Sequence, residues 1–315
     1  SNLGYALLGL IVKKVSGVSY QDYVAANIWQ PLNMNQVAWE FAQVSPNQLA
    51  HGYQWVDGHW QEEPLLHDGS YASMGGMIAS IESFSRYMTL HQTAWPARND
   101  VETGPIKRSS IREMHQAWRF YAVDSKNKDH GKVCPTINAY GYGLRWSRDC
   151  NARVAVGHTG GLPGFGSNWI ILPEYGIGVV LLTNVTYAAA EAVNAKVINT
   201  LIHEAQLKPR ELPPSHILSE RQKALMKLLP EWKDAKTSGI FAENFFLDSS
   251  VVLLQKKSQE LFDKTGKILD VGAIIPKNQL RGYFILKGEK ASLKVSFSLS
   301  PQNALIQNYE IKVKM

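Results

Sequence analysis

VAVGHTGGLPGFGSNWIIL, residues 154–172, decides how this chain is read. Val154 to Val156 is a short apolar run, and Val154 to Thr159 and Asn168 to Leu172 read as strands. Between them Gly160, Gly161, Pro163, Gly164 and Gly166 interrupt any regular element, so two antiparallel strands joined by a glycine-rich turn are expected. On its own, His158-Thr159-Gly160-Gly161 is no more than a strand end entering such a turn, because a motif of three or four residues occurs often by chance.

Working outward, Tyr142 to Trp146 and Ile177 to Thr183 read as further strands of the same antiparallel sheet. They are separated from the central pair by turns at Asp149-Cys150-Asn151 and Pro173 to Gly176. A helix from about Tyr187 to Glu204 is expected to pack on that sheet through Val193, Val197 and Leu201. Upstream, residues 1–130 are expected to be mostly helical. Ser1 or Asn2 caps a first helix with Leu3, Leu7, Leu10 and Ile11 on one face, Lys13 and Lys14 on the other and Gly17 as its stop. Ser19 followed by Asp22 opens a second helix, which ends before Pro31. Residues 35–72, with Trp39, Tyr53, Trp55 and Trp60 among turn formers, form a long excursion of the kind that lines clefts. Ser80 caps a helix from Ile81 to His91 whose Phe84, Tyr87 and Met88 face inward.

These pieces in this order resemble the penicillin-recognising serine hydrolases: class C β-lactamases, D-alanyl-D-alanine carboxypeptidases and related esterases. His158-Thr159-Gly160 is similar to that family's third motif, a Lys-Thr-Gly or His-Thr-Gly triplet on the strand forming one wall of the active site. The phrases from Val15 to Tyr20 and Pro31 to Met34 resemble the stretch after its second motif, Tyr-x-Asn. Asn2 then matches the Asn of that motif, although it serves equally well as a helix cap. The resemblance implies an α/β (α+β) fold: a β-lactamase-like antiparallel sheet flanked by helices, plus a helical region. It also implies a periplasmic or extracellular setting.

The same resemblance assigns roles. His158 and Gly161 are the catalytic candidates, His158 beside the proton-transfer network and the Gly161 N–H as an oxyanion donor. Thr159, Gly160 and Asn2 are the substrate-binding candidates, Thr159 for a carboxylate and Asn2 for an amide side chain. Histidine where many β-lactamases have lysine tilts the expectation toward the carboxypeptidase or esterase side. No cofactor is implied.

What the family requires and these residues lack is its first motif, Ser-x-x-Lys, in which a lysine one helical turn on faces the nucleophile. Ser125 and Lys128 have the spacing but lie in a polar loop on the wrong side in sequence order, so they are set aside. Tyr5 and Tyr140 are read as packing residues rather than substitutes for the motif tyrosine. The expectation is therefore the C-terminal portion of a serine hydrolase, inactive as given, with an apolar surface where further helices and strands would pack. The alternative is a non-catalytic ligand-binding or scaffold protein of the same fold.

Composition is compatible with either. The 315 residues are 45% hydrophobic and 10% aromatic, enough for a substantial core. The longest apolar runs fall far short of the ~20 residues that span a bilayer, and a leader peptide is not judged. The formal charge of +6 is scattered, and Lys126, Lys128 and Lys132 share their loop with Asp124 and Asp129, so a small-molecule or peptide substrate is expected rather than nucleic acid. Cys134 and Cys150 bracket a hairpin and are either a disulfide or two free thiols. His51, His59 and His67 are too far apart among turn residues to suggest a metal site. Beyond the proline-containing linker from Arg210 to Pro214 and a helix-like stretch from Ile217 to Leu229, residues 238–315 are expected to form a small β-rich domain. Its alternating segments, starting with Ser250 to Gln255, suggest a sheet or barrel and resemble the lipocalin-like modules appended to some of these hydrolases.

Overall fold

The computed structural model describes every residue except 68, 99, 130 and 315. It divides into two compact units, Ser1–Arg210 and Glu211–Met315.

The first unit opens with α1 (Asn2–Ser16), where the Ser1 side chain accepts from the Gly4 N–H and Gly17, in the left-handed region at φ +80°, ends the helix. Then come α2 (Tyr20–Val24), a π-helical turn over Ala25–Trp29, β1 (Val37–Ala38), the hairpin of β2 (Tyr53–Val56) and β3 (His59–Glu62), and β4 (Ile78–Ala79). Helices α3 (Ile81–Thr93) and α4 (Arg108–Met114) come after them. Eight strands are next: β5 (Arg119–Asp124), β6 (Lys128–Asp129), β7 (Lys132–Val133), β8 (Thr136–Gly141), β9 (Leu144–Arg148), β10 (Val154–Leu162), β11 (Phe165–Leu172) and β12 (Ile177–Thr183). The unit ends with α5 (Ala190–Glu204).

Its main sheet is antiparallel and six-stranded, in the order β12-β11-β10-β9-β8-β5. The four strands expected from sequence are there, widened by β5 and β8. So the stretch up to residue 130 is less helical than expected, because β5, the β2–β3 hairpin and the two-stranded β1–β4 sheet lie within it. Alternation along a strand sends neighbours to opposite faces, and Asn168 and Trp169 show both. Trp169 joins Val156, Ile171 and Leu144 in a core closed by Phe84, Tyr87 and Met88 of α3. Asn168 faces α5, where the Asn194 amide donates to its Oδ1 at 2.8 Å and its backbone O at 2.9 Å. The sheet is thus covered by α3 on one face and α5 on the other. Each large apolar side chain buried between such layers contributes about 1.5–3 kcal/mol.

That buried amide pair also sets the roll of α5, and here the expectation is corrected. Ala190, Asn194 and Ile198 form the packed face, while Val193, Val197 and Leu201 stay 51%, 38% and 43% exposed. Helix α1 buries only Ala6 and Gly9, leaving Leu3, Leu7, Leu10 and Ile11 about half exposed. Its inner face is fixed by Ser73, whose hydroxyl donates to the Tyr5 carbonyl at 2.9 Å and leaves no room for a side chain at Gly9. Cys134 and Cys150 are joined as a disulfide that ties the start of β8 to the turn after β9.

The second unit comprises α6 (His216–Met226), α7 (Phe245–Asp248), α8 (Val251–Thr265) and strands β13 (Ile268–Val271), β14 (Ile275–Asn278), β15 (Arg281–Gly288), β16 (Ser292–Leu299) and β17 (Ile306–Val313). The strands form an open antiparallel sheet in the order β13-β15-β16-β17, with β14 also on β15, so the chain makes a sheet and not a barrel. The run from Ser250 to Gln255 is the start of α8, not a strand. A run of four apolar residues fits either period, but over fifteen residues Val251, Leu254, Leu261 and Phe262 recur at helical spacing and pack on the core. Leu218, Leu225 and Trp232 belong to that same core.

Candidate functional site

The register of β10 defines the site. Its partner on one side, β11, pairs with it from Val156 opposite Ile171 to its end at Leu162 opposite Phe165. On the other side β9 pairs only from Val154 to Gly157, because the β8–β9 hairpin turns at Gly141 and Leu144. From His158 onward the second edge of β10 is therefore unpaired among the described residues. An unpaired strand edge presents N–H and C=O groups that an extended ligand can complete.

His158 sits half-buried at the start of that edge. Its Nδ1 lies 2.6 Å from the Thr159 carbonyl oxygen, which can only accept, so the ring proton is on Nδ1. Nε2 is left with a lone pair and faces the Tyr140 hydroxyl at 3.3 Å. Burial, with the positive charge of Arg145 as a lesser cause, holds His158 below the usual histidine range, against the Thr159 carbonyl, which pulls it up. The imidazole is therefore neutral at pH 7. Tyr140 is pushed up to about 12, by burial first and by its hydrogen bond with Tyr5 second. Tyr5 comes from the first turns of α1, and its hydroxyl also lies against Gly143. Tyr5 and Tyr140 are thus members of the His158 cluster and not simple packing residues. Chain separation hid this, since the contacts join residues 5, 140 and 158.

The remaining expected residues take different positions. Thr159 is opposite Asn168 and His158 opposite Trp169 in register, so the two side chains leave β10 on opposite faces. The two side chains of the motif therefore serve different faces, and the open edge between them is backbone. Gly160 and Gly161 are tightly flanked, Gly160 by the Ser167 hydroxyl and Gly161 by the ring of Tyr187. Tyr187 itself is a non-glycine residue at φ +49° and 68% exposed. Gly164, at φ +83°, packs backbone to backbone on Gly52, which seats the β2–β3 hairpin beside the turn after the motif. Asn2 is exposed on the first turn of α1, three residues from Tyr5. None of the described contacts joins its side chain to the motif.

Ser125 lies at the far end of the sheet. Asp124 pairs with Thr136, and Thr136 is four residues along β8 from Tyr140, about 13 Å at ~3.3 Å per residue. His51 and His67 are engaged by Glu62 and Glu40, at 2.6 and 3.0 Å. Among the described residues, no helix is long and apolar enough to cross a membrane.

Known proteins are similar to this chain in sequence and in fold. The family model described as Beta-lactamase matches residues 1–202. Penicillin-binding protein 4* of Bacillus subtilis is 39% identical over 197 residues, covering 58% of this chain and 39% of that protein. Unguisins hydrolase ungD' of Aspergillus campestris is 26% identical over 214 residues, 66% of this chain and 37% of that protein. The octameric penicillin-binding protein homologue from Pyrococcus abyssi superposes over 99% of this chain and 64% of its own, with a TM-score of 0.54 and 18% identity, a likeness of fold. The chain spans just over a third of the length of the curated relatives it matches.

Proposed function

The chain belongs to the Beta-lactamase family, whose members are serine hydrolases, and from that premise we propose that its first unit carries one wall of an acyl-transfer site. The observation that carries this reading is the open edge of β10 beginning at His158, beside the His158–Tyr140 hydrogen bond. In this reading an amide, lactam or ester lies along the edge. The Gly161 N–H is one oxyanion donor, and Gly160 and Thr159 line the acyl group. The neutral His158 and its tyrosine neighbours relay or hold a proton. Asn2 reaches the substrate from the end of α1. Relatives named for binding penicillin and for hydrolysing unguisins support a small-molecule or peptide ligand.

Nucleophilic catalysis needs a serine and its base within hydrogen-bond reach of that wall. Ser125 and Lys128 are the one Ser-x-x-Lys pair in the sequence, and they are remote from it. These 315 residues by themselves are therefore proposed to form no acyl-enzyme, and turnover requires further polypeptide that supplies the nucleophile and covers the apolar faces of α1 and α5. The test is incubation with a reporter penicillin and an activated ester, with intact-mass analysis of the product. No adduct is expected. A stoichiometric adduct abolished by Ser125→Ala would overturn the proposal. The missing serine–lysine pair also favours a second reading, a ligand-binding protein of the same fold without turnover. In that case the chain binds the same probes saturably, and adding a nucleophile-bearing segment restores no hydrolysis.

A further inference from the structure

Away from the His158 edge, a cavity of roughly 350 Å³ opens between α3, the start of α4, Pro31, Leu32, Arg98 and the residues Thr103, Gly104 and Ile106. One side is cationic, with Arg86, Arg98 and Arg108, and the other is apolar, with Leu32, Leu90 and Ile106. None of its lining residues, among those described, is acidic. Arg108 is the anchor. Its side chain is only 9% exposed, with Nη1 2.7 Å from Asp100 Oδ1. Its Nε is out of water and has no hydrogen-bond partner, the nearest carboxylate oxygen, Glu102 Oε1, lying 3.6 Å away. Arg108 is thus held at the cavity wall by Asp100 and Glu102, and its Nε, being out of water, is not itself a donor to the cavity.

The local charge is not balanced. Asp100 and Glu102 answer Arg98 and Arg108, while Arg86 meets only the exposed Glu82, at 3.4 Å. Two further arginines stand close by, Arg112 beside Arg108 and Arg210 beside Arg98. Both are held below the usual arginine range, by burial first and by the neighbouring guanidinium charge after it. Five guanidinium groups thus stand against three carboxylates, Glu82, Asp100 and Glu102. The hydroxyls of Thr89 and Thr93 turn back onto carbonyls of α3 at 2.9 and 2.8 Å, which leaves the guanidinium groups as the charged donors of the cavity.

We propose that this cavity is a binding site for a small organic anion, a carboxylate or phosphate on an apolar body. The head group meets Arg86, Arg98 and Arg108, and the body lies on Leu32, Leu90 and Ile106. A planar guanidinium pairs such head groups through two parallel hydrogen bonds, and apolar lining next to few charges is the usual build of a small-molecule pocket. The site is separate from the His158 edge and does not depend on the function proposed for it.

The experiment is calorimetric titration of the 315-residue chain with phenyl phosphate, benzoate, inorganic phosphate and benzylamine, alongside thermal melts. Saturable 1:1 binding of phenyl phosphate or benzoate is expected, and the tighter of the two assigns the head group. Benzylamine should not bind, and inorganic phosphate should bind at least about tenfold more weakly than phenyl phosphate. Arg86→Gln and Arg98→Gln should each weaken binding about tenfold. Thr89→Glu, on the exposed side of α3, should abolish it while the melt without ligand stays in place. Absence of saturation at millimolar probe, or unchanged affinity in Arg86→Gln and Thr89→Glu, would overturn the site. Equal affinity for inorganic and phenyl phosphate would overturn the role of the apolar wall.

Discussion

A side chain placed at Gly161 would run into the ring of Tyr187, and Tyr187 holds that ring there from a left-handed backbone conformation at φ +49°. Such a conformation costs a non-glycine residue about 1–2 kcal/mol. Gly161→Ala should therefore destabilise the first unit by about 1–3 kcal/mol, the usual cost of overpacking. Combined with Tyr187→Gly, most of that loss should disappear, because the second change removes both the obstructing ring and the strain. Urea unfolding of the two single variants and the double variant tests this through the midpoints at constant slope. Strict additivity would show that the ring is not what Gly161 accommodates. The motif was legible here because His158, Thr159, Gly160 and Gly161 are contiguous. Tyr187 and Tyr140 were not, since each reaches the motif through a turn or hairpin whose closure no local spacing announces.

Between elements, α3 and α4 are joined by a buried pair of imidazoles. His91 Nδ1 is 2.8 Å from His115 Nε2, and the Trp95 Nε1–H donates to His115 Nδ1 at 2.9 Å. Indole nitrogen only donates, so His115 Nδ1 must accept, its Nε2 carries the proton, and that proton is given to His91 Nδ1. A further proton on His115 Nδ1 would set N–H against N–H. Accordingly His91 is lowered to about 3, by burial and then by His115, and His115 to about 4, by burial. Both folded values lie below the ordinary histidine value of about 6.5. The unfolded chain therefore takes up protons first as pH falls. The stabilisation is complete above about pH 6.5 and is lost progressively toward pH 4 and 3, on the order of a few kcal/mol. Denaturant unfolding from pH 7 to 4 should show this slope, and His91→Gln should flatten it. An identical pH profile in that variant would assign the acid sensitivity to carboxylates instead. Elements with a cap and a single period, α1 with Ser1 and Gly17 or α3 with Ser80, could be read from sequence. The packed face of α5 could not, because a buried Asn194–Asn168 hydrogen bond outranks the more apolar Val193 stripe. Nor could α8, where an apolar tetrad at its start reads as strand until the polar residues beyond it are counted.

At the scale of the molecule, each unit carries its own core; the second compact unit starts at Glu211, whereas the sequence reading makes residues 210–237 a linker and helix and starts the β-rich domain at 238. The second core shows why the segment after the linker belongs with the C-terminal sheet. Leu218 and Leu225 of α6 and Trp232 are buried with Phe284, Leu286, Leu293, Val295 and Ile306 of that sheet. Trp232 also spends its indole N–H on the Ser258 hydroxyl of α8, at 2.9 Å. Trp232, Phe241, Phe245 and Tyr309 fill the interior with mutually packed rings, so the core is closed by side chains from both ends of the segment. A chain of about a hundred residues buries enough surface to fold alone. A fragment of residues 211–315 is therefore expected to melt cooperatively by itself, whereas one starting at Ser238 loses Leu218, Leu225 and Trp232 and should not. Within the longer fragment, Leu286→Ala, at 0% exposure, should cost about 2–5 kcal/mol. Circular dichroism melts of the two fragments and that variant decide it. Equal cooperativity in both fragments would show that α6 and Trp232 decorate the second unit, and its boundary would move to Ser238.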